Sequence, residues 1–116
     1  MLLISAADDA GTMALELSRS GNQTSVKELW HSNRFYVKHV NMLRRGDVLY
    51  AMSGDSGPTP LSAAEVKTGK ILWQQRGFPE ANLVCADGKV FILDPDGNLS
   101  LAGRQGGKHG AIAAEE

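Results

Sequence analysis

Apolar and polar positions alternate along the chain in short runs, at 2–7, 12–17, 26–31, 35–43, 47–53, 60–66, 70–75, 81–86, 89–93 and 98–102. Side chains that alternate with a period of two describe a strand buried on one face, and no window carries the 3.6-residue stripe of an amphipathic helix. The pattern therefore predicts ten short strands and an all-β fold. Between the runs lie Asp55-Ser56-Gly57-Pro58, Lys67-Thr68-Gly69-Lys70, Asp87-Gly88 and Asp96-Gly97, the chemistry of tight turns, in which glycine supplies a positive φ. The stretch 103–116 holds four glycines and no aromatic residue, and it is expected to be a flexible tail.

The runs repeat. Lys27-Glu28-Leu29-Trp30 returns 43 residues later as Lys70-Ile71-Leu72-Trp73, so the two tryptophans of the chain occupy one slot. Gly46-Asp47-Val48-Leu49-Tyr50 returns 42 residues later as Gly88-Lys89-Val90-Phe91-Ile92, and Leu3-Ile4 through Gly11 lines up with Leu49-Tyr50 through Gly57 at an offset of 46. A unit of that length with four short strands has the size of a propeller blade. In that frame 35–75 is a full antiparallel four-stranded blade, 1–31 a partial blade without its first strand, and 81–102 a partial blade without its last. A third tryptophan is expected near 115 or 116, where Glu115-Glu116 stand. Two and a half blades leave open faces, because a propeller closes only with about 4 to 8.

The segment Ala64-Glu65-Val66-Lys67-Thr68-Gly69-Lys70-Ile71-Leu72-Trp73 resembles the signature of the PQQ-like (quinoprotein-type, WD40-like) β-propeller repeat. There a strand ends in Ala-Asp-x-x-Thr-Gly-Lys and the next ends in Trp; Glu65 is the one departure. Asp87-Gly88 and Asp96-Gly97, with the strands after them, resemble the second and third strands of a following repeat. The first repeat keeps Leu29-Trp30, but Ser20-Gly21-Asn22 replaces its Thr-Gly turn. The resemblance makes Ala64, Thr68, Gly69, Lys70, Trp73, Trp30, Asp87, Gly88, Asp96 and Gly97 structural residues of the repeat. Each tryptophan is expected to lie flat against the neighbouring blade while its indole N–H finds a backbone acceptor. Some members of the family are dehydrogenases that seat PQQ with calcium on the propeller axis, in some cases clamped by a disulfide between adjacent cysteines. Others are scaffolds without a cofactor, such as envelope-protein assembly lipoproteins.

Composition narrows the functions. Twelve Lys and Arg against thirteen Asp and Glu in 116 residues give a net charge of −1, with no basic excess to neutralise nucleic-acid phosphates. No run approaches the roughly 20 apolar residues of a membrane span. Met1 to Ile4 lacks the basic flank and length of a signal peptide, and Asp8 and Asp9 interrupt it. The chain thus begins within a strand, as expected of part of a longer protein; the compartment is left open, periplasmic or secreted if that longer protein carries a signal peptide. The single cysteine, Cys85, allows no disulfide clamp and is expected to be a buried thiol.

The remaining motifs are read as structure. Gly54-Asp55-Ser56-Gly57-Pro58 echoes the nucleophile segment of serine proteases and Lys67-Thr68-Gly69 a β-lactamase motif, but neither has its partner residues. Asp94-Pro95-Asp96-Gly97-Asn98 begins like a calcium loop and then fails, with Leu99 where glycine and Gln105 where glutamate belong. His31 and His39 lack a third zinc ligand, and Asn22 and Asn98 head two short glycosylation patterns. No catalytic, cofactor-binding or metal residue is nominated. The expectation is a non-catalytic binding or scaffold module whose partners are another protein, the remaining blades, or a second copy through open blade edges. The alternatives are a fragment of a PQQ-dependent oxidoreductase, with calcium, and a free-standing sandwich domain.

Overall fold

The structure is a computed structural model, and it describes residues 1–6, 10–37, 40–54, 59–76, 80–102 and 112–115. It is all-β, and each of its three sheets is an antiparallel meander of consecutive strands. Sheet 1 holds β1 (Leu2–Ala6), β2 (Gly11–Ser20) and β3 (Gln23–Ser32). Sheet 2 holds β4 (Leu43–Arg45), β5 (Val48–Met52), β6 (Leu61–Glu65) and β7 (Ile71–Gln75). Sheet 3 holds β8 (Asn82–Ala86), β9 (Lys89–Leu93), β10 (Leu99–Ala102) and β11 (Ile112–Glu115).

Two boundaries differ from those the alternation predicts. Among the described residues of the run 35–43, only Leu43 joins the ladder of sheet 2, as the first residue of β4 (Leu43–Arg45). The earlier part is tied by serine hydroxyls: Val37 N–H donates to Ser5 Oγ (2.7 Å) and Tyr36 N–H to Ser53 Oγ (3.0 Å). Its apolar residues are core all the same, since Phe35 and Val37 are buried between sheets 1 and 2. The stretch expected to be a tail contributes β11, which pairs with β10 from Leu99↔Glu115 to Ala102↔Ile112. Sheet 3 therefore has its fourth strand, formed from small residues whose apolar signal is weak.

The register also corrects the repeat. Gly46-Asp47 joins β4 to β5 and Asp87-Gly88 joins β8 to β9, with Arg45↔Val48 and Ala86↔Lys89 as the closing pairs. Glycine stands first in one turn (Gly46, φ 59°) and second in the other (Gly88, φ 67°, after Asp87 at φ 49°). Aligning the glycines therefore shifts the strands by one residue. The ladders superpose at 41, placing Leu49 with Val90 and Tyr50 with Phe91. A one-residue slip exchanges the two faces of a strand, so this correction decides what each sheet presents to its neighbours.

With the register set, the packing follows one rule. Leu3, Ala14 and Trp30 lie opposite one another across sheet 1, as do Tyr50, Ala63 and Trp73 across sheet 2. Each row faces the next sheet. Ala14 and Trp30 pack with Leu49, Ala51, Ala64 and Val66 of sheet 2; Tyr50, Ala63 and Trp73 pack with Leu83, Val90 and Ile92 of sheet 3. Sheet 2 is covered on both faces, which is why β5 and β6 read as nearly unbroken buried runs. Between sheets 2 and 3 the backbones approach within 8 Å along β4 and β8, the first strands of their sheets.

Candidate functional site

The sequence singles out the turn between β6 and β7, and its geometry follows from three local bonds. Gly69 N–H donates to the Glu65 carbonyl (2.8 Å) and Glu65 N–H to the Lys70 carbonyl (2.8 Å), while Lys70 N–H bonds Thr68 Oγ1 (3.2 Å). Gly69 has φ +74°, a left-handed value that favours glycine. A second reason is contact: a Cβ built on Gly69 would lie 2.5 Å from Trp30 Cε3, so only a bare α-carbon admits the indole. Trp30 reaches there from sheet 1, and its Nε1–H donates to the buried Val66 carbonyl (2.7 Å). Ala64 and Gly69 thus pack with Trp30 at one seam between sheets, and Thr68 and Lys70 lie exposed on the turn beside it.

Trp73 only half follows. It is buried against Tyr50, with ring centroids 6.1 Å apart and planes at 59°, but its Nε1–H has no hydrogen-bond partner among the described residues. Burial pushes the Tyr50 phenol above its ordinary range, and the charge of Arg45 and its hydrogen bond to the phenol oxygen pull it back part of the way. Asp87 and Gly88 form the β8–β9 turn, where a Cβ on Gly88 would lie 3.6 Å from Arg45 Nη2 of sheet 2, and Asp96 and Gly97 lie in the turn between β9 and β10.

Asp94 organises the second of those turns. Its Oδ1 accepts from Asp96 N–H (3.0 Å) and Asn98 N–H (2.8 Å), and its Oδ2 from Asn98 Nδ2 (3.0 Å). Desolvation is the largest single influence and raises the pKa of this half-buried residue, but the donors from Asn98, Asp96 and Gly97 together outweigh it and hold the pKa below the usual carboxylate range. Each carboxylate oxygen is thus engaged by amide donors, and the segment is a self-capped turn rather than a ready set of calcium ligands. No group of three or more His, Cys, Asp or Glu among the described residues is placed to hold a metal.

Beside the Trp30 seam is an open cleft of about 350 Å³ lined by His31, Ser32, Arg34, Thr68, Gly69, Lys70 and Ile71. Ser32 Oγ accepts from Arg34 N–H (3.2 Å) and Phe35 N–H (3.3 Å), and this bend places Arg34 at the rim. Two hydroxyls and the charges of Arg34 and Lys70 suit the cleft to a polar or anionic group. It contains no nucleophile paired with a base. Neither Ser32 nor Arg34 carries a sequence signal, since the cleft arises from how two sheets stack. Cys85 is half-exposed rather than buried, because it lies one residue from the end of β8. His39 and Asp55 to Pro58 lie outside the described residues, whereas Asn22 sits in the two-residue turn between β2 and β3. No helix of the described residues is long and apolar enough to cross a membrane.

No protein-family model matches the chain, and no curated protein or solved structure matches it either.

Proposed function

We propose that the chain is a non-catalytic segment of a PQQ-like β-propeller and that it works as a binding or scaffold module. The observation that carries the reading is the seam between sheets 1 and 2. The tryptophan of one unit lies on the glycine of the next unit's Thr-Gly-Lys turn and donates to the carbonyl three residues before that glycine. The repeat signature thereby acquires a physical role, since Thr68-Gly69 shapes a surface that accepts an indole from the preceding sheet. The approach of β4 to β8 supports the same reading, since first strands draw together when sheets fan out from an axis. In a module of this kind the loops bind, and the cleft with Arg34 and Lys70 is the polar surface offered to an acidic segment of a partner protein.

The competing reading is a fragment of a quinoprotein oxidoreductase. Titration of the chain with PQQ and calcium, followed by tryptophan fluorescence, separates the two. No saturable quenching at micromolar quinone is expected. Saturable quenching that requires calcium would overturn the scaffold reading.

A further inference from the structure

The cleft beside the Trp30 seam holds more hydrogen-bond donors than the fold uses. One wall is the end of β3 with the bend after it and the other is the turn between β6 and β7, so the cleft lies between sheets 1 and 2 and not on an outer face. Ser32 Oγ accepts from the Arg34 and Phe35 amides, which occupies both of its lone pairs, and Thr68 Oγ1 accepts from the Lys70 amide. Neither hydroxyl donates to a protein group among the described residues, so both O–H protons are free for a ligand. The charges are free as well: no carboxylate or carbonyl among the described residues engages the Arg34 guanidinium or the Lys70 ammonium. No described Asp or Glu lines the cleft. His31 is not a free donor there through Nε2, whose N–H donates to the Ala10 carbonyl (2.5 Å).

Two cations and two hydroxyl protons, with no acid beside them, match an anion that carries two charges on several oxygens. A carboxylate brings one charge and leaves one of the cations unmatched. A phosphomonoester near pH 7 brings about −1.5 to −2 and three strong acceptor oxygens. An open cleft of about 350 Å³ is at the small end for ligand sites, which suits a phosphoryl group and the atoms next to it. We propose that this cleft binds the dianionic phosphoryl group of a phosphomonoester, Arg34 and Lys70 supplying the charge and Ser32 and Thr68 the hydroxyl donors. The proposal rests on the reading of the cleft as the polar surface offered to an acidic partner, and it narrows that acid to a phosphate. The phosphate is borne either on a side chain of the partner or on a small ligand, and the chemistry of recognition is the same for both.

The test follows the backbone amides of the full, isotope-labelled chain by NMR at about pH 7.5, where a phosphomonoester is dianionic. The chain is titrated with a phosphoserine peptide, with the same peptide carrying glutamate in place of phosphoserine, and with inorganic phosphate. The amides of Ser32, Arg34, Thr68 and Lys70 are expected to shift saturably with phosphate, at a Kd at least about tenfold below that of the glutamate peptide and rising with salt. Whether the phosphoserine peptide or inorganic phosphate binds tighter assigns the group to a partner chain or to a small ligand. Arg34→Gln/Lys70→Gln changes two exposed side chains that make no bond in the fold, so it should abolish the shifts while circular dichroism and melting stay those of the wild type. A glutamate peptide that binds as tightly as either phosphate would overturn the inference and leave the acidic-segment reading standing. Absence of saturable shifts with all three would overturn both. Shifts that persist in the double variant would put the phosphate outside this cleft and overturn the inference too. The PQQ titration reads the quinoprotein alternative separately.

Discussion

The two seams use the same residue differently. At the first, Trp30 is held by its ring on Gly69 and by its N–H on the Val66 carbonyl, both supplied by the turn of the next sheet. At the second, Trp73 has the same register position and similar burial, yet its contacts are the Tyr50 ring and aliphatic side chains, and its N–H finds no acceptor among the described residues. A tryptophan at a sheet interface thus contributes in two separable ways. Its area is buried wherever the neighbouring sheet is flat and apolar. Its polar edge is satisfied only if that sheet also supplies a turn with a free carbonyl at the right height.

Truncation gives the largest effects. Either tryptophan to alanine should cost about 3 to 5 kcal/mol in denaturant unfolding, because a large cavity opens between sheets that cannot collapse onto each other. Trp30→Ala should be the worse of the two, since it also strands the Val66 carbonyl. Equal losses would mean that the hydrogen bond contributes nothing net. Next comes Gly69→Ala, expected to cost about 2 to 4 kcal/mol from left-handed strain and from overpacking against the indole. Gly97→Ala is its control: φ is +87° there, but nothing lies within 4 Å of the added Cβ, so strain acts alone at about 1 to 2 kcal/mol. If the two alanine variants lose the same stability, the contact between Gly69 and Trp30 has no energetic weight.

Replacing each tryptophan by phenylalanine keeps most of the ring and removes the N–H, which isolates the polar half of the comparison. Trp30→Phe breaks a buried hydrogen bond and should lose about 1 to 3 kcal/mol beyond the change in volume. Trp73→Phe removes a buried donor that has no described acceptor, so the volume term should stand alone. Urea unfolding of the two variants side by side reads the difference. A larger loss at Trp73 would mean that its N–H is bonded.

The elements are legible in the sequence because alternation reports a strand wherever one face is buried, and the seam is legible because Thr68-Gly69-Lys70 and the two tryptophans are chemically specific. Faces are not. Glycine can stand at either place of a two-residue turn, so aligning Gly46 with Gly88 displaces the strands by one residue and exchanges inside for outside. Side-chain pairing carries the correct register, since both Ala14 and Ala63 lie opposite a tryptophan. β11 escapes the apolar pattern because Ile112-Ala113-Ala114-Glu115 has little apolar weight. Its signal lies upstream: Gly106-Gly107-Lys108 stands after Ala102 as Thr68-Gly69-Lys70 stands after Ala64, so another strand is due. Nothing local marks Ser5 and Ser53, whose hydroxyls replace strand pairing for the segment beside them, since a serine announces such a role only once its partner backbone is placed.

Titration separates the seams more gently, because a described ionisable ring is buried only at the second. The Tyr50 phenol is raised by burial, so the folded protein retains a proton that the unfolded chain releases near pH 10. Unfolding therefore becomes more favourable as pH rises past that point: the contribution of Tyr50 is present below pH 10 and is lost as pH climbs toward the folded value. Tyr50→Phe should flatten this alkaline decline, and an unchanged decline would assign it to other groups.

The smallest effect belongs to Asp94, which touches neither seam but sets the turn between the strands that carry Phe91 and Leu101. Its pKa is lowered, so the sign is opposite. The benefit is full above the ordinary carboxylate range, near pH 4, and disappears as pH falls through the depressed value. Asp94→Ala should lower the melting temperature slightly at pH 7 and not at all at a pH where the wild-type carboxyl is already protonated. Asp94→Asn keeps an acceptor for the Asp96 and Asn98 amides but not the charge, so it should fall between the two. If Asp94→Ala melts with the wild type at pH 7, sheet 3 holds this turn through its ladder alone, and the carboxylate only decorates a hairpin that β9 and β10 have already closed.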